Sequence, residues 1–133
     1  MLSHYFFIIF ILEDNHMLYT ELQIRDNNYK LRLNTRASIS LEKALGKSPL
    51  TVFMDLDNGE MPKLTDMLMI LQACLQPYHH GMSMDKVYDL FDDYVMDGHT
   101  LFDLVPVFIE VFQESGYLGK SGSGSDDGEA EKN

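Results

Sequence analysis

A chain of 133 residues with 45% hydrophobic and 23% charged side chains can build one core and is too short for two comfortable domains. A single cysteine excludes a disulfide scaffold, and the composition excludes wholesale disorder. Ten Lys and Arg against 21 Asp and Glu give a formal charge of -11, which argues against gripping a nucleic-acid backbone.

Residues 1–16 contain the apolar run Tyr5 to Leu12, which is less than half of a membrane span and lacks the basic start of a signal peptide, since no Lys or Arg precedes Arg25. The segment reads as translated leader ahead of a start at Met17, because Leu12-Glu13-Asp14 can be encoded as TTG GAG GAT, which contains the ribosome-binding sequence GGAGGA. The alternative is an apolar arm that packs on a neighbouring chain.

From Leu18 to Ile24 the residues Leu18, Thr20, Leu22 and Ile24 share one face. Asp26-Asn27-Asn28 supplies a turn, and Tyr29, Leu31 and Leu33 alternate beyond it, so the pair predicts a β-hairpin. Asn34 or Thr35 caps a helix with Ala37, Leu41, Ala44 and Leu45 on its inner side and Gly46 at its end. Ser48-Pro49 starts a short helix over Leu50 to Met54 that stops at Asp57-Asn58-Gly59. A longer helix opens at Lys63 or Thr65 and runs to about Gln76, where Pro77 stops it. Its apolar residues go round the whole circumference, which predicts burial on every side. Ser83 caps the next helix, with Met84, Val87, Tyr88, Phe91, Tyr94 and Val95 inside and Asp85, Asp89, Asp92 and Asp93 facing water. Thr100 and Asp103 form a capping box for the last helix, in which Pro106 sits in the first turn or makes a kink, and Gly116 ends it. Residues 119–133 have no large apolar side chain and read as a disordered acidic Gly/Ser tail. The expected fold is α+β, mainly α: an N-terminal hairpin and a bundle of about four to five helices in one domain over residues 17–118.

Charge divides along the chain. Residues 17–47 hold six basic and three acidic side chains, a balance of +3, whereas residues 48–114 hold two basic and twelve acidic, a balance of -10. Head-to-tail self-association is electrostatically allowed, although a solvated acidic face explains such a run as well.

Chemistry is sparse. Asp55-Leu56-Asp57-Asn58-Gly59-Glu60 imitates a calcium loop, but the glycine comes one place early, Pro62 interrupts, and Asp66 stands where a bidentate glutamate belongs. His79-His80 suits capping of helix carbonyls better than zinc. Cys74, among Ala73, Leu75 and Ile70, reads as a buried filler. No phosphate loop or serine elbow occurs. The reading is therefore no enzyme, no metal and no cofactor.

The segments Tyr29 to Gly46, Leu71 to Gly81 and Val107 to Gly116 together resemble the tail assembly chaperones of long-tailed phages and prophages of Gram-positive bacteria. The resemblance covers residues 17 to about 118 and lies in fold pattern rather than chemistry. It implies a protein of the host bacterial cytoplasm, absent from the mature virion, that binds the tape-measure protein and keeps its apolar helices soluble until tail-tube subunits polymerise. It also implies a longer form made by ribosomal slippage, for which Leu118-Gly119-Lys120 can encode the heptamer GGGAAAG. Surplus apolar surface on two helices makes Met67, Met69, Ile70, Phe102, Ile109 and Phe112 the candidate contact residues, and flexible methionines suit a client of many similar helices. The same helices could instead be central in a compact bundle. The competing class is a small acidic regulator or DNA mimic that fills a basic site through Asp85, Asp89, Asp92, Asp93 and Asp97.

Overall fold

The computed structural model describes residues 19–118, so the expected leader, the start at Met17, Leu18 and the acidic tail lie outside the described residues. The hairpin comes first: β1 (Thr20–Ile24) pairs antiparallel with β2 (Asn27–Leu31), Leu22 opposite Tyr29. Thr20, Leu22 and Ile24 are buried while Glu21 and Gln23 are exposed, which is the alternation of a half-buried strand. The turn lies one residue earlier than the asparagines suggest. Ile24 pairs with Asn27, leaving Arg25-Asp26 as the loop, and Arg25 takes a left-handed φ of 58°. That conformation costs an L-residue about 1 kcal/mol, so something must hold it. The Arg25 backbone N–H donates to Asp97 Oδ2 at 2.7 Å, and its guanidinium lies 3.5 Å from Asp97 and 3.8 Å from Asp93.

Five helices follow: α1 (Thr35–Leu45), α2 (Pro49–Asp57), α3 (Leu64–Leu75), α4 (Met84–Met96) and, after a 3-10 turn at Leu101–Asp103, α5 (Leu104–Ser115). The fold is thus α+β and mainly α. Local chemistry sets their ends. Asn34 accepts from the N–H of Ala37, Ser48 from that of Leu50 and Ser83 from that of Lys86, each satisfying one orphan donor of a first turn. Thr100 and Asp103 make both bonds of a capping box. Pro106 falls in the first turn of α5, where a missing N–H costs nothing, and α5 ends at Gly116 with a left-handed φ of 93°. α2 runs past Met54 to Asp57.

The core is built on the inner face of α3, where Met67, Ile70, Leu71 and Cys74 share one buried cluster with Leu31 of β2, Leu33 just beyond that strand, and Leu104, Phe108 and Phe112 of α5. Each such large side chain contributes roughly 1.5–3 kcal/mol. The Arg32 N–H donates to the Cys74 carbonyl at 2.9 Å, so a carbonyl left over at the end of α3 is satisfied by the chain leaving β2.

Burial corrects two expectations. α3 is apolar all round yet buried on one side, because its outer stripe Leu64, Thr65, Met69, Gln72, Ala73 and Gln76 is exposed or half-buried. On α4 the inward residues are Val87, Leu90 and Tyr94, whereas Tyr88 and Val95 stand half out of the surface. Leu90 lies between the two aromatic turns and is buried, whereas Tyr88 lines the groove between α3 and α4, because the inward direction is set by all the elements packed against the helix.

Candidate interaction surfaces

The candidate contact residues do not share one surface. Met67, Ile70 and Phe112 are each 0% exposed, so their selection as contact residues is corrected: they are interior packing. Met69 and Ile109 are half-buried, and Phe102 stands exposed on the 3-10 turn. Ile109 and Met69 lie in different grooves.

The first groove, of about 370 Å³, separates α2 from α5 and is lined by Leu50, Phe53, Met54, Leu56, Val105, Ile109 and Leu118, with Asp57 as its single charge and Phe112 beneath. Phe53 anchors α2 there through edge contacts with Phe108 and Phe112 at centroid distances of 6.2 and 5.4 Å. Met54 beside it is 62% exposed. The second groove, of about 510 Å³, lies between α1 and α3; Ala37, Leu41, Ala44, Met69 and Ala73 form its floor and Arg36 and His80 its rim. The third, of about 260 Å³, lies between α3 and α4 and includes Leu64, Leu68, Tyr88, Phe91 and Asp92.

The acidic residues divide as well. Asp85, Asp89 and Asp92 are exposed at helical spacing along α4 and form one stripe. Asp93 does not belong to it, because it is turned to Arg25 at the hairpin. Asp97 likewise serves the hairpin turn.

Three titratable groups among the described residues are shifted by their surroundings. Burial pushes the Cys74 thiol far up from its ordinary value, which keeps it a neutral filler. His79 does not cap α3 through its ring. Its Nε2 instead accepts the Lys30 backbone N–H at 3.1 Å, and desolvation, with the Lys30 charge second, lowers its pKa from the ordinary value. The Lys30 ammonium sits 4.9 Å from the ring centroid of Tyr19 and 5.7 Å from that of Tyr78, closing the cluster. Burial, and then Asp103, raises the pKa of Tyr94, whose ring stacks on His99 at 4.3 Å. Among the described residues no group of three or more His, Cys, Asp or Glu is placed to hold a metal ion, and no helix is long and apolar enough to cross a membrane.

The architecture is that of a small α+β protein, mainly α, with open grooves on two faces. Residues 18–132 match a family of unknown function, DUF6096, and the chain belongs to that family. No curated protein and no solved structure matches it.

Proposed function

We propose that this protein is a phage tail assembly chaperone that binds apolar helical segments of a tape-measure protein in the host bacterial cytoplasm, and leaves as tail-tube protein assembles, so that it is absent from the mature virion. It acts without catalysis, metal or cofactor, and touches neither nucleic acid nor membrane. The observation that carries the reading is the groove between α2 and α5. Its walls are Met, Leu, Val, Ile and Phe, and it holds one carboxylate. Flexible Met54 and half-buried Ile109 can repack around successive client helices, while the surplus of acid elsewhere on the chain keeps a loaded complex apart from its neighbours.

The test mixes the full chain with fragments spanning the tape-measure-like protein of the same genome and follows the soluble fraction. The chain is expected to keep at least one apolar fragment in solution, and Met54→Asp and Ile109→Asp to lose that ability while retaining the native circular-dichroism spectrum. Failure to bind any fragment sinks the proposal. A second reading, a small acidic regulator of a basic partner, draws on the stripe Asp85, Asp89 and Asp92. Partner binding that collapses with added salt and is indifferent to Met54→Asp selects it instead.

A further inference from the structure

The grooves on the two sides of α3 open on one face. Successive residues of a helix turn by about 100°, which sets Thr65, Gln72 and Gln76 on a single outward stripe, opposite the buried Met67 and Cys74. Met69 and Ala73 flank that stripe toward α1, and Leu64 and Leu68 flank it toward α4. Met84 lines both grooves and joins them. The result is an apolar face centred on α3, with Leu64 49% and Tyr88 48% exposed.

The two edges of this face carry opposite charge. On the α1 edge stand Arg36 and, seven residues on, Lys43 on the same helical stripe, and the groove there contains no Asp or Glu. On the α4 edge stand Asp85, Asp89 and Asp92. None of these five makes an ion pair among the described residues.

A face that is apolar in the middle, basic on one side and acidic on the other is complementary to itself under one operation. A two-fold axis parallel to α3 exchanges the two sides, so that the α1 edge of one protomer lies over the α4 edge of its partner. We propose that a second copy of this chain covers the α3 face in that arrangement, with Arg36 and Lys43 of each protomer against the acidic stripe of the other. The proposal uses a different face from the client groove between α2 and α5 and does not rest on the chaperone reading.

Sedimentation of the full chain across a concentration series is the test. The wild-type chain is expected to form a dimer whose dissociation constant rises with salt. Arg36→Glu with Lys43→Glu, and separately Asp85→Lys with Asp92→Lys, should each raise that constant by roughly tenfold or more by setting like charges together. All four changes in one chain restore opposite signs across the interface and should return the constant toward wild type, a recovery that mere surface damage does not give. Thr65 lies on the axis and meets its own copy, so Thr65→Glu should weaken the dimer without weakening the monomer fold, read by thermal melting. A chain that is monomeric at every concentration overturns the proposal. So does a dimer indifferent to charge reversal, or a fourfold variant that stays dissociated.

Discussion

Replacing Asp97 by alanine should uncouple the hairpin turn from α4, and the cost can be worked from the contacts. The Asp97 carboxylate accepts the Arg25 backbone N–H at 2.7 Å and lies 3.5 Å from the guanidinium. A hydrogen bond to a charged group contributes about 1.5–3 kcal/mol, and the lower end applies because the site is exposed. The ion pair adds about 0.2–1 kcal/mol for the same reason. Asp97→Ala is therefore expected to cost about 2 kcal/mol, which in a chain of this size lowers Tm by roughly 6–10 °C. Asp97→Asn keeps a neutral acceptor and should lose less than half of that. Arg25→Gly gives the opposite balance. It relieves about 1 kcal/mol of left-handed strain and loses the guanidinium contacts, with an entropy cost of about 0.5–1 kcal/mol, so its net effect should be small. Urea titration of the three variants, followed by circular dichroism, measures all of this. An Asp97→Ala chain within about 0.3 kcal/mol of wild type refutes the backbone anchor, and an Arg25→Gly chain more costly than Asp97→Ala shows that the side chain, not the N–H, carries the turn.

Two further outcomes test the interior and the strand anchor. Because folding lowers the pKa of His79 below its ordinary value of 6.5, the unfolded chain takes up the proton first, so stability is greatest above that value and falls as pH drops through it; urea midpoints at pH 5 and 7.5 should show the slope, and His79→Ala should remove its share. Phe108 is 0% exposed, and Phe108→Ala is expected to cost about 3–5 kcal/mol in the same titration, a much smaller loss meaning that the space collapses freely.

What the sequence reveals is what neighbours in sequence decide. Asn34, Ser48, Ser83 and the Thr100–Asp103 pair announce helix starts because each cap reaches a backbone N–H two or three residues away. Turn-forming residues mark Asp26-Asn27-Asn28, whereas the left-handed residue is Arg25, held there by Asp97, 72 residues distant. His79 follows the same logic, since its partner Lys30 is 49 residues away. The circumference of α3 shows the limit most clearly. Apolar residues on every side mark Met67 and Met69 alike, and only the packing of the hairpin and α5 makes the first interior and leaves the second at a groove. The acidic stripe was legible from spacing, but the withdrawal of Asp93 from it was not, because that too depends on Arg25.

The short connection between α3 and α4 has a mechanical consequence. The side-chain amides of Gln72 and Gln76 both donate to the Met82 backbone carbonyl, at 3.1 and 3.0 Å, and the Gln76 side-chain oxygen Oε1 accepts the Gly81 N–H at 3.2 Å. Three bonds from the last turns of α3 and its C-cap thus fasten the loop at the root of α4. α2 is held by packing instead: Val52 is buried in the core, and Phe53 meets Phe108 and Phe112 edge to face. The three bonds therefore fix the angle at which α4 leaves α3, and with it the width of the groove that the two helices share.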